Sequence, residues 1–311
     1  MPAAMSFIQT PNRPEITLSL VTDLIAEQFP QWAHLEIKPV EFSGIDNRTF
    51  RLGEEMFIRL PSAKGYAPQV PKEQKWLPIL APHLSFHIPE PLAQEQSSKN
   101  YPWNWSIYRW IEGESANTLV IDDLHLQLFA SHLAQFLNEL HKIDATDGPH
   151  AGLHKYWRGA HPSVYDAETR SAIAELRDII DERSAASVWE KAISSKWSQN
   201  PVWIHGDFAS GNILIKDGRL AAVIDFGCMG VGDPACDTVI AWTFLKNESR
   251  KVFKSHLALD PDTWARARGW ALWKASFELV ALKDKTSPEA VQKQQIINEI
   301  LNEHEMVTTN F

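Results

Sequence analysis

The turn Lys216-Asp217-Gly218-Arg219, set between the apolar runs Ile213-Leu214-Ile215 and Ala221-Ala222-Val223-Ile224, constrains this chain more than any other segment. Asp-Gly between runs rich in β-branched residues signals a two-residue β-hairpin, because both turn positions need a positive φ that these residues tolerate. With Lys216 facing Arg219, pairing continued outward sets Asn212 opposite Val223, close to Asp225, at the open end of the hairpin. Asp207 lies just upstream, on the loop that enters the same end. A carboxamide and two carboxylates are thus expected to converge on one point.

That set suits magnesium and phosphate. Mg²⁺ takes hard oxygen ligands, keeps several waters and is usually held by one or two carboxylates plus phosphate oxygens. Phosphoryl transfer passes through a loose transition state, so positioning and charge neutralisation carry most of the catalysis while a carboxylate accepts the attacking hydroxyl's proton. On this chemistry Asp207 is the expected catalytic base, and Asn212 and Asp225 are the expected Mg²⁺ ligands. Taken singly, Gly-Asp and Gly-Asn are common turn formers. Their joint placement around one hairpin carries the reading.

The full pattern is His205-Gly206-Asp207 with Asn212 five residues on, then Ile224-Asp225-Phe226-Gly227, then Gly230-Val231-Gly232-Asp233-Pro234 with Asp237. It resembles the aminoglycoside and macrolide phosphotransferases, relatives of the protein kinases, whose catalytic loop and D-F-G motif follow the same logic. The resemblance is strongest over 202–245 and extends over 41–113. It implies an α+β, bilobal protein-kinase-like fold: a small antiparallel-sheet N-lobe over 1–108 that binds nucleotide, a hinge at 109–113, and a large, mainly helical C-lobe over 114–311. It also implies His205 as a packing residue that shapes the catalytic loop. The implied partners are ATP or GTP as donor and a small hydroxyl-bearing acceptor, an aminoglycoside- or macrolide-type antibiotic first. A metabolic kinase for choline, homoserine or a sugar derivative is an alternative, since the fold does not fix the substrate. A nucleotide-binding regulator without turnover is the alternative from a different class.

In the first lobe, apolar residues at helical spacing predict a helix over 15–29 that stops at Pro30, and strands are expected over 35–40, 48–52 and 56–60 with a turn at Gly53-Glu54. The resemblance then assigns Ser43 to the turn that covers the phosphates, Arg59 to the basic position on the third strand, and Glu73 on the next helix to orient it. Arg59 stands where a lysine is usual, and its planar fork rearranges the phosphate contacts. Tyr108 is placed at the back of the nucleotide pocket, and the backbone of Arg109 and Ile111 at its hydrogen-bonding edge. Trp103 and Trp105 are expected in the core.

Farther on, Leu124, Leu128, Leu133, Phe136, Leu137 and Leu140 predict an apolar helical stripe ending near Lys142. Helices are also expected near 168–182 and 185–198, a strand over 202–204, and long helices from Pro261 and over 288–304. Asp233-Pro234 reads as an N-cap with proline at the first helical position. Asp237, in the first turn, reads as complementing the helix dipole. In the resembled family 150–200 and the tail flank the acceptor, with Glu278 and several tryptophans as candidates, although aromatics at helical spacing are more often core.

A length of 311 residues exceeds what one compact core usually holds, which agrees with two lobes. No apolar run approaches the roughly 20 residues that span a bilayer. The first residues show no basic segment followed by an apolar stretch, so no membrane partner and a cytoplasmic location are expected. A net charge of -9 argues against a nucleic-acid partner. Two cysteines, Cys228 and Cys236, argue against a disulfide framework. His150, His154 and His161 lack zinc-site spacing.

Overall fold

A computed structural model of the protein describes residues 14–40 and 46–309. Ser43, assigned above to the phosphate-covering turn, lies outside the described residues.

The chain first forms helix α1 (Leu18–Gln28), started by the Thr17 hydroxyl, which accepts from the Leu20 N–H at 3.2 Å. Pro30, which lacks an N–H, follows its end. A five-stranded antiparallel sheet comes next, built from β1 (Ile37–Pro39), β2 (Asn47–Leu52), β3 (Met56–Pro61), β4 (Pro91–Glu95) and β5 (Trp105–Arg109) in the order β1-β2-β3-β5-β4. One face buries Phe50, Leu52, Ile58, Leu60, Trp105 and Ile107 against Val21, Leu24 and Ile25 of α1. Helix α2 (Gln69–Leu80) connects β3 to β4. Its Trp76, Leu77 and Leu80 join the core of the second lobe, which ties the two halves together.

The second lobe is mainly helical. Strand β6 (Glu114–Ser115) precedes α3 (Asp123–Lys142), whose first N–H groups bond the Asp122 carboxylate. The apolar stripe predicted for α3 is corrected at its start: Leu124 and Leu128 are exposed, and the buried face runs through Leu126, Phe129, Ala130, Leu133 and Leu137. The step of five from Leu128 to Leu133 breaks the helical period, so the two early leucines sit on the opposite side. Helices α4 (Asp166–Glu175) and α5 (Glu182–Ser194) replace the spans expected at 168–182 and 185–198. The Asp181 carboxylate accepts from Ser184 N–H at 3.0 Å and so sets the start of α5.

Strand β7 (Val202–Ile204) leads to the hairpin of β8 (Ile213–Lys216) and β9 (Arg219–Val223), followed by β10 (Gly230–Gly232), which pairs with β7. Asp217 and Gly218 both have positive φ, as the two-residue turn requires. The register differs from the expected one. Lys216 faces Arg219 and Ile215 faces Leu220, but a β-bulge at Ala221 then pairs Leu214 with Ala222 and Ile213, not Asn212, with Val223. Asn212 moves one position closer to Asp225, and its carbonyl accepts the Ile224 N–H at 2.8 Å. Asp233 does cap a helical segment, but Pro234–Val239 is 3-10 and only Ile240–Thr243, α6, is α-helical. Helices α7 (Asn247–His256), α8 (Pro261–Ala281) and α9 (Pro288–Thr309) complete the lobe.

Candidate active site

The loop that carries Asp207 is fixed from below by a buried carboxylate. Asp237 accepts from the His205 N–H at 2.6 Å and from the Gly206 N–H at 2.8 Å. Burial pushes its carboxyl above the ordinary aspartate range, and these donors pull the other way. This residue, read above as a helix-dipole partner, instead ties the 3-10 segment to the loop that carries Asp207. Gly206 has φ +85, and a Cβ there would lie 2.2 Å from the Cys228 carbonyl oxygen, so only glycine fits the bend. The His205 ring accepts at Nδ1 from the Asp207 N–H at 3.2 Å and donates from Nε2 to the Ile224 carbonyl at 2.9 Å. One imidazole thereby joins the loop to the segment carrying Asp225. Asn212 Nδ2 donates to the Asp207 carbonyl at 2.9 Å and to its carboxylate at 3.3 Å. With its amide nitrogen spent in this way, the side-chain oxygen Oδ1 of Asn212 is the atom that could serve as a ligand.

Asp225 sits in the left-handed region, φ 63, a conformation that aspartate adopts more readily than most residues. Its carboxylate accepts from Arg59 Nη2 at 2.8 Å, while Nη1 of the same guanidinium reaches the two Glu73 oxygens at 3.2 and 3.3 Å. Burial works against the Arg59 charge, but Glu73 and then Asp225 outweigh it and raise its pKa above the ordinary value. Glu73 is buried and also accepts the Tyr108 hydroxyl. The predicted Arg59 and Glu73 residues therefore form one bridge from β3 through α2 to Asp225. Helix α2 adds a second clasp, because Lys72 Nζ donates to the Gly227 carbonyl at 2.6 Å.

A divalent cation fits this donor set. Asp46, held by Gln69 at 3.3 Å, has its carboxyl pushed up to about 6 by burial and by the neighbouring negative charge of Asp225. Carboxylates crowded into a partly desolvated site repel one another, and a hard cation relieves that repulsion. Asn212 and Asp225 are the residues that could hold it.

Toward the hinge, Tyr108 is buried and stacked on Phe57 with ring centroids 5.2 Å apart. The Arg109 N–H is committed to the Glu90 carbonyl at 2.9 Å, and its side chain pairs with Glu90 at the surface. The Trp110 N–H donates to Glu55 at 2.7 Å, and the half-buried Ile111 follows as the chain leaves the sheet.

On the other side of Asp207 a pocket opens whose walls include Arg158, Thr243, Trp270, Trp273 and Lys274. Lys274 Nζ lies 3.5 Å from Asp207 Oδ1. Burial raises the Asp207 pKa, but the positive charges of Lys274 and Arg158 more than offset this and hold the carboxyl below its usual range. A deprotonated carboxylate at the mouth of a pocket can accept a proton. Of the candidates named for this side, Trp270 and Trp273 line the pocket, whereas Glu278 pairs with Lys293. Neither Arg158 nor Lys274 was singled out from sequence. Asp233 also carries more than its cap, since its carboxylate meets Arg266 of α8 at 2.6 Å with both side chains buried, and so anchors the helix that bears Lys274.

The model of the phosphotransferase enzyme family matches residues 36–270. An aminoglycoside 3'-phosphotransferase of Escherichia coli is 26% identical over 226 residues, covering 68% of this chain and 77% of that protein. In three dimensions the chain resembles the GDP complex of aminoglycoside 2'-phosphotransferase-IIIa, with a TM-score of 0.69 at 18% identity over 93% of this chain and 100% of the other. It also resembles a macrolide 2'-phosphotransferase from Brachybacterium faecium, with a TM-score of 0.59 at 19% identity over 90% and 97%. No helix among the described residues is long and apolar enough to cross a membrane. The architecture, the residues gathered around Asp207 and the family match over most of its length agree: the chain belongs to the phosphotransferase enzyme family.

Proposed function

We propose that the protein is a small-molecule kinase that transfers the γ-phosphoryl group of ATP or GTP to an acceptor hydroxyl. The observation that carries this reading is the position of Asp207, hydrogen-bonded to Asn212, joined through His205 to the segment of Asp225, and facing a pocket on its other side. The hydroxyl oxygen attacks the γ-phosphorus, the bond to the β-γ bridging oxygen breaks, and the hydroxyl proton passes to Asp207. Asn212 and Asp225 would hold Mg²⁺, which when bound would neutralise charge on the phosphates. Arg59 keeps Asp225 in place and turns its remaining N–H donors to the α- and β-phosphates, with Glu73 and Tyr108 fixing the guanidinium. Tyr108 closes the back of the nucleotide site, and the backbone near Arg109 and Ile111 forms its hinge edge. Solved relatives bound to GDP, ADP and AMP-PNP support a nucleotide donor.

The named relatives support an antibiotic acceptor of the aminoglycoside or macrolide type. The cations beside Asp207 favour a second acceptor reading, a metabolic alcohol, because a polyamine meets two positive side chains there. The test is incubation with Mg²⁺ and ATP or GTP against aminoglycosides, macrolides, choline, homoserine and sugar derivatives, with mass spectrometry detecting a gain of one phosphoryl group. Transfer that disappears in Asp207→Asn supports the kinase reading. Nucleotide binding without transfer to any acceptor would instead favour a regulator.

A further inference from the structure

The pocket beside Asp207 carries more positive charge than that one carboxylate balances. Its walls bear two cations, Arg158 and Lys274, and one carboxylate, Asp207, in a chain whose net charge is -9. Lys274 approaches Asp207 only to 3.5 Å, longer than a well-formed charged hydrogen bond. Arg158 is held by stacking: its guanidinium carbon lies 5.3 Å from the Trp270 ring centroid and 4.9 Å from that of Trp273. Its Nη1 is shielded from solvent and has no hydrogen-bond partner. A shielded charged donor without an acceptor is costly, so the guanidinium that lines this pocket has hydrogen-bonding capacity left over. The backbone around Arg158 is itself constrained, with Tyr156 at φ 52, Trp157 at φ 57 and Gly159 at φ +79. Non-glycine residues in this region persist where the surrounding structure holds them, commonly at ligand sites.

We propose that the acceptor is a hydroxyl compound bearing an anionic group, a carboxylate or phosphate monoester, which Arg158 grips from its seat on Trp270 and Trp273. This rests on the kinase reading above and names the acceptor class for the same site. A guanidinium presents paired N–H donors that match carboxylate and phosphate oxygens, and an aromatic backing keeps it oriented. The anionic group does not react. It orients the hydroxyl toward Asp207, which takes the proton as the new O–P bond forms and the nucleoside diphosphate leaves. Lys274, on the same pocket wall, adds to the attraction.

The donor's γ-phosphate offers the same chemistry, so the test must separate the two sources. The full-length protein with Mg²⁺ and a non-hydrolysable ATP analogue is titrated with three matched sets: hydroxycarboxylates and sugar phosphates, their amides and parent sugars, and aminoglycosides. Anionic members are expected to bind at least about tenfold tighter than their neutral counterparts, with Arg158→Met abolishing most of that difference and Arg158→Lys restoring part of it. Mg²⁺-nucleotide affinity should stay within about threefold of wild type in both variants, which also reports an intact fold. Binding that favours neutral or polyamine members, or none from the anionic set, overturns the proposal. Equal loss of nucleotide affinity in Arg158→Met assigns the cation to the γ-phosphate and overturns it too. Failure of the wild type to bind Mg²⁺-nucleotide would defeat the kinase reading first, and this inference with it.

Discussion

The side of the cleft proposed to hold phosphate takes Asp207, Asn212 and Asp225 from the single span 207–225, whereas the side proposed for the acceptor brings Arg158 from a loop to meet Trp270, Trp273 and Lys274 on α8. The first is clamped by hydrogen bonds, from Asp237 beneath the loop to Arg59 across the lobes. The second rests on stacked rings and one long contact to Asp207. Chemistry that tolerates little displacement is built from short-range sequence and satisfied polar groups. Recognition, which varies among proteins of one fold, is assembled from distant elements that can change without disturbing the centre.

Asp207→Asn should break the two sides apart most sharply, lowering kcat by about 10²–10⁴-fold while nucleotide affinity holds, as steady-state kinetics and calorimetry would reveal. Full activity in that variant would remove the assigned base. Asp237→Ala leaves two buried N–H groups without an acceptor and should cost roughly 2–5 kcal/mol in denaturant unfolding, with activity falling in parallel. A loss of activity at unchanged stability would mean that Asp237 touches the reactants instead. Arg59→Lys replaces a fork that spans Glu73 and Asp225 with a single ammonium, so nucleotide affinity should drop about tenfold while acceptor affinity is preserved. An equal loss on both sides would show that the halves are coupled. Smallest of all is Arg109→Ala, whose side chain lies at the surface against Glu90. Melting temperature and nucleotide affinity should both match wild type, because only the backbone there is proposed to face the nucleotide.

The same contrast governs what could be read before folding. Asp217-Gly218 announced the hairpin because turn chemistry is local, yet the bulge at Ala221 shifted its register by one, and consecutive small apolar residues carry no mark of where a bulge will fall. Arg59 and Glu73 were reachable only through the family resemblance, which puts a basic residue on the third strand and a glutamate on the next helix; nothing in their own local sequence marks them. Asp237 was misjudged as a dipole partner, although its setting in Ala235-Cys236-Asp237-Thr238-Val239 offered a clue: a lone carboxylate among uncharged residues is a candidate for burial with dedicated donors. Leu124 and Leu128 looked like core until the break in period put them on the solvent side. Arg158 and Lys274 had no signal of their own, since nothing in either local pattern joins a loop arginine to a lysine on a tryptophan-rich helix.

We propose a division of labour, with Asp207 handling the proton and Asp225 the metal. Mg²⁺-nucleotide affinity, measured by calorimetry with and without the metal in Asp207→Asn and Asp225→Ala, tests it most directly. Asp207→Asn should keep wild-type, Mg²⁺-dependent binding, and Asp225→Ala should bind at least about tenfold more weakly and no longer respond to Mg²⁺. Undiminished Mg²⁺-dependent binding in Asp225→Ala, or an equal loss in Asp207→Asn, would contradict it.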